Sequence, residues 1–250
     1  MSAPSPLRAA LQKVVRSVRQ NWPAMLGLEV ALGIVVAIYY FWPAGASVVA
    51  GYGTWLHSGG ILATALATAL AGGVLSELSL VYAQNSGRWA RVHIERMIFN
   101  SVMFFISGAV VFEFYHLQAQ IFGDSPAWRI ILRKLLVDQF IFTVFWSTPY
   151  QALMTHWQNL RYSGSKLWHE LGWAFVLERM IPILLTNWIF WIPCVTLLYS
   201  MPLMLQPSLF IFATACWGLL MPAVARQERE GLVASVPILS GSEVLPEPTE

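Results

Sequence analysis

Charge is what this sequence has least of. Only 11% of its 250 residues are Asp, Glu, Lys or Arg, against about 25% in an average soluble domain. A water-soluble protein of this length needs a polar shell. A helix facing lipid needs an apolar surface and must satisfy its backbone internally, and the deficit fits that second solvent. Cysteine is nearly absent too. Cys194 and Cys216 are the two present, both inside apolar stretches and remote from any CxxC or His-rich spacing, which argues against a structural disulfide or a zinc site. Net charge is +2, so nucleic acid is not an expected partner. The chain also lacks GxSxG, HExxH, a P-loop and a Gly-rich dinucleotide turn. It reads as a non-enzyme with no cofactor and no metal.

Hydrophobic residues make up 57% of the chain, and they fall in runs of the ~20-residue length that a bilayer requires. Spans are expected near 24–42, 60–83, 98–122, 132–156, 174–200 and 203–225. The fifth contains Glu178, Arg179, Pro182, Asn187 and Pro193, which suggests an interfacial helix followed by a broken or re-entrant piece. The expected fold is therefore all-α, a polytopic transmembrane helical bundle of five or six membrane segments, one of them broken or interfacial.

Three regions follow: a basic N-terminal segment 1–22, a transmembrane helical domain 23–226, and a disordered tail 227–250 rich in Pro, Ser and Glu. The first carries Arg8, Lys13, Arg16 and Arg19 with no acid before Glu29. It reads as a flank that keeps the N-terminus on the cytoplasmic or matrix side, as a mitochondrial targeting segment or, least well, as a secretory signal. By the positive-inside rule the Arg-bearing stretch 84–97 shares that side and the stretch 43–59 lies outside. The localisation is a multi-pass protein of a bacterial or mitochondrial inner membrane.

Two helices carry periodic polar or small residues. In the second, Thr64, Thr68, Gly72 and Ser76 recur every fourth residue beside Ala65, Ala69, Gly73 and Glu77. Such residues let backbones approach closely in lipid, so this helix belongs at the centre, with Glu77 facing protein. In the fourth, Gln139, Thr143, Ser147, Gln151 and Thr155 share one face. They meet either neighbouring helices or a hydrated cavity. Intramembrane acids are costly and mark function. Besides Glu77 and Glu29, the acids are Glu113, with His116 three residues on, and Asp138, four residues after Lys134 and a partner for it in a local ion pair. The histidines form no facing mid-helix pair, which argues against haem. Tryptophans near expected span ends, Trp22, Trp42, Trp55, Trp89, Trp128, Trp157 and Trp168, suit interfacial belts.

The segment KLLVDQ, Lys134 to Gln139, is similar to the K-x-x-x-D-Q element of the twenty-two-kilodalton peroxisomal membrane protein family, which includes mitochondrial inner-membrane members of the Mpv-seventeen type. GAVVFEFY, Gly108 to Tyr115, resembles its G-P-x-x-x-x-W-Y element without the proline and tryptophan. Leu184 to Gln206 resembles the later signature, with Trp191, Pro193, Tyr199 and Pro202 at matching positions, and Trp217 corresponds to the tryptophan of the last helix. Ile192 separates Trp191 from Pro193, and Gln206 stands in place of an arginine. The resemblance covers residues 60–226. It implies a compact bundle of about four core helices that acts as a poorly selective channel or metabolite pore.

The sequence thus leads to a channel for small solutes, lined by Asp138, Gln139, Thr143, Ser147 and Gln151, with Asp138 and Glu113 biasing ion preference. The alternative is a structural or assembly subunit of a larger membrane complex, bound through the small-residue face of the second helix or a flank of the first. A third reading, an enzyme of lipid or quinone chemistry, rests only on the buried carboxylates. The lipid bilayer is the one firm partner, with a homo-oligomer or a larger complex as the protein partners these readings allow.

Overall fold

The computed structural model describes residues 6–84 and 87–218. It is 90% helical and without strands. Helix α1 runs Pro6–Phe41 and α2 runs Pro43–Ser58. Helix α3 is built of Gly60–Ala69, a π-helical stretch Leu70–Leu75, and Ser76–Gln84, and α4 is Arg91–Phe122. Helix α5 comprises Trp128–Val137, a π stretch Asp138–Ser147, and Thr148–Asn159. The short α6 is Gly164–Glu170. Helix α7 joins Trp173–Phe175, a π turn Val176–Met180, and Ile181–Tyr199. Helix α8 is Leu203–Gly218.

Three helices are long and apolar enough to cross a membrane: Gly60–Tyr82, Arg91–Phe122 and Trp173–Tyr199. A fourth arises if Met25–Phe41 and Pro43–Ser58, bent by 111° at Trp42, count as one span. That is fewer than the five or six expected. Helix α5 has the length, but its polar face lowers its hydropathy, and α8 is short within the described residues. The segment 219–225 and the tail 227–250 lie outside them.

The break sits elsewhere than the sequence suggested. Trp173–Tyr199 is one continuous helix, with Pro182 directly after the π turn Val176–Met180 that carries Glu178 and Arg179. The bend is instead at Trp42, an extended residue that precedes Pro43, as steric clash with a following proline dictates. The stretch 43–59, read as an external loop, is thereby a helix with its proline at the first position. Similarly, Arg91 and Arg96 belong to α4 rather than to a loop.

Packing follows the logic of lipid, where close backbone approach replaces the hydrophobic force. Gly108 of α4 lies against Thr68 and Ala65 of α3, Gly72 lies under the Phe104 ring, and Gly73 meets the backbone of Ser101. A side chain at any of these points would separate the two helices. On the other flank, Leu32 of α1, Phe190 and Leu198 of α7, and Phe210 and Trp217 of α8 share one apolar cluster with Tyr115. The turn after α5 puts Arg161 and Tyr162 in the left-handed region, at φ 53° and 60°, a conformation costing about 1–2 kcal/mol per residue. The Tyr162 ring, wedged 5.2 Å from Phe99 and 5.7 Å from Trp157, holds it there.

The π stretches explain a geometric puzzle. In an α-helix of 3.6 residues per turn, a four-residue repeat drifts by about 40° per step, so five such residues wrap nearly half-way round. A π stretch, with i→i+5 hydrogen bonds and a wider turn, drifts the other way. In α5 the first steps of the stripe lie in π geometry and the last in α geometry, so the drifts cancel and the stripe keeps one face.

Candidate functional site

The polar stripe of α5 lines a cavity of about 540 Å³ enclosed by α3, α4, α5, α7 and α8. Asp138, Gln139, Thr143, Ser147, Gln151 and Thr155 all border it. The facing walls are also partly polar, with Asn100 and Ser107 of α4, Asn187 of α7 and Thr214 of α8. Aromatic rings fill the remainder, chiefly Phe104, Phe142, Trp191, Phe210 and Trp217. Along α4 the lining begins at Arg96 and ends at Tyr115, a length of about 28 Å at 1.5 Å per residue. The cavity therefore runs along the helices for nearly the ~30 Å thickness of a bilayer's hydrocarbon core.

Hydrogen bonds brace its walls. Tyr150 donates its hydroxyl to the Met103 carbonyl at 2.9 Å, tying α5 to α4. Asn187 Nδ2 donates to Gln151 Oε1 at 3.1 Å, tying α7 to α5. Within the π stretch, the Gln139 carbonyl accepts the Trp188 indole N–H at 2.9 Å. By contrast the hydroxyls of Thr143, Ser147 and Thr155 take no hydrogen-bond partner among the described residues. Polar groups in a bilayer need a partner, and the cavity is where water or a solute supplies it.

At one end stands a buried network. Tyr199 donates its phenol to Asp138 Oδ2 at 2.6 Å and accepts from Gln118 Nε2 at 2.5 Å, while Gln139 Nε2 donates to Asp138 Oδ1 at 2.8 Å. Three helices meet at that phenol. Lys134, 1% exposed, stands 5.6 Å from the Tyr199 ring centroid. It does not pair with Asp138 as the four-residue spacing suggested; its ammonium lies 3.8 Å from Asp124, beyond the turn that opens α5. Asp124 also accepts the Leu203 N–H at 3.0 Å, fixing the start of α8 just after Pro202. The Tyr199 hydroxyl thus takes the place in the network that the sequence reading gave to a cation.

At the other end stand Arg96, Asn100, Gln158 and Glu77. Glu77 is 3% exposed, and its Oε1 lies 2.7 Å from His93 Nδ1. Glu113 is absent from this cavity: it is exposed on the far face of α4 and borders a separate hollow with His116 and Gln120. Nor does His116 bond to it, since the imidazole Nδ1 lies 2.8 Å from the Phe112 carbonyl and the ring stacks 5.8 Å from His57. Of the resemblance positions, Trp191 and Trp217 line the cavity, whereas Pro193 lies inside α7 and Pro202 precedes α8. No group of three or more metal-ligating side chains occurs among the described residues.

The α4 wall escaped the sequence reading. Arg96, Asn100, Met103, Ser107, Val111 and Tyr115 follow steps of three and four, the signature of one helical face, but hydrophobic Met and Val interrupt its polarity. Comparison with family models, curated proteins and solved structures gave no match to this chain.

Proposed function

We propose that this chain is a multi-pass membrane protein whose lined cavity is a pore for small solutes, poorly selective by size class. The observation that supports it is the alignment of the whole α5 polar stripe on a cavity about as long as a bilayer core is thick, with three of its hydroxyls unpartnered by protein. On this reading α5 and α8 are spans too, which restores the count to five or six. The lipid-facing side of α5, with Phe140, Ile141 and Phe145 exposed at 51%, 56% and 76%, suits that placement. Membership of the Mpv-seventeen type family, an inner-membrane location and a cytoplasmic or matrix N-terminus belong to the same proposal.

The alternative of an assembly subunit then rests on the flank of α1, where Val30 and Ile34 are exposed. The small-residue face assigned to a partner is occupied by α4 of the same chain. Flux assays on liposomes holding the purified protein test the pore directly. Small-solute flux is expected from the wild type, and Ser147→Trp, which fills the middle of the cavity, should lower it at least ten-fold at unchanged protein incorporation. Wild-type liposomes as tight as empty ones refute the proposal.

A further inference from the structure

The two ends of the cavity differ in charge. The Asp138 end holds a carboxylate with a donor on each oxygen, and the nearest cation, Lys134, is turned toward Asp124 outside the cavity. At the opposite end Arg96 is the lone Lys, Arg or His side chain on the lining among the described residues. It is half-buried, and no carboxylate among the described residues lies within ion-pair distance of it. The neighbouring carboxylate, Glu77, is engaged by His93.

Donors converge on the same point. Asn100 sits one turn beyond Arg96 on the same face of α4. Its Oδ1 accepts from Gln158 Nε2 at 3.4 Å, which leaves its Nδ2 hydrogens for another acceptor. A guanidinium fork beside an amide donor is the chemistry that holds a carboxylate or similar oxyanion.

We infer that Arg96 and Asn100 form an anion-capture site at the mouth of the cavity, and that the solutes it favours are small monovalent anions such as carboxylates. This rests on the pore reading above and deepens it. It also departs from the cation preference that the intramembrane acids suggested, because the guanidinium stands at the end of the lining where Glu77 is already engaged by His93.

The test is the reversal potential of reconstituted protein in planar bilayers under a potassium acetate gradient, repeated with potassium chloride. The wild type should favour the anion. Arg96→Gln should lower the anion-to-cation permeability ratio about ten-fold, Arg96→Lys should keep most of it, and Asn100→Asp, which places a negative charge at the mouth without touching Arg96, should lower it as well. A wild type that conducts with a cation preference, or a ratio that is the same in the wild type, Arg96→Gln and Asn100→Asp, overturns the capture site and leaves the pore standing. A wild type that passes no solute of either sign overturns both.

Discussion

Helix α4 has two interior faces, and they are built on opposite principles. Toward α3 it presents Gly108 and Ser101, which meet Thr68, Ala65 and Gly73 of α3 closely, while the Phe104 ring lies over Gly72 at the edge of the cavity. Toward α5 it presents Arg96, Asn100, Ser107 and Tyr115, and there the helices stand apart around the cavity. Small residues close one seam, and large polar and aromatic residues hold the other open. One helix can therefore anchor the bundle and border the cavity, and the two jobs fail under different substitutions.

The largest expected effect comes from breaking the closed seam. Gly73→Val drives a branched side chain into the Ser101 backbone, and overpacking of this kind costs about 3 kcal/mol, roughly 10 °C in the Tm of detergent-solubilised protein. Thermal unfolding followed by size-exclusion recovery measures it. Next is the network at the Asp138 end of the cavity. Tyr199→Phe removes a donor from Asp138 and an acceptor from Gln118, at a cost of about 1–3 kcal/mol, and the same thermal measurement should show a smaller fall than Gly73→Val.

On the open side the order of stability and transport reverses. Thr143→Val replaces a hydroxyl that has no protein partner, so stability should move by less than about 0.5 kcal/mol, while solute flux through liposomes falls several-fold. If Thr143→Val destabilises the protein as much as Tyr199→Phe does, the hydroxyl has a structural partner and the two faces of α4 are less different than they look. The smallest effect belongs to Glu113→Gln. That acid is exposed and outside the cavity, so neither flux nor ion preference should change.

Much of this contrast was written in residue types. The small-residue stripe from Thr64 to Ser76 indicated close packing, and it meets α4 at Gly72 and Gly73. The stripe from Gln139 to Thr155 indicated either water or helix contacts, and it borders the cavity. What the sequence hid was pairing at a distance. Asp138 is partnered by Tyr199, sixty-one positions away, and not by Lys134 one turn before it, because the turn at Gly123 brings Asp124 to the ammonium first. Glu113 looked functional for being an acid in an apolar run, but position on the helix decides exposure, and it points away from the path. The π stretches did leave a trace. A four-residue repeat drifts off one face of a regular α-helix, and the helices that carry it over three steps in α3 and four in α5 are both widened.

The 111° bend at Trp42 has a consequence for sidedness. Each full crossing reverses the compartment of the chain, so the parity of crossings before Gly60 sets the N-terminus relative to everything that follows. If α1 and α2 make one crossing between them, the basic residues before Trp22 and the segment that opens α3 occupy opposite compartments; if the pair enters and turns back, they share one. The side of Arg161 and Lys166 is fixed by the later helices alone. Reporters at the N-terminus and at Lys166 therefore measure independent quantities, and their agreement or disagreement counts the crossings made by this one bent pair.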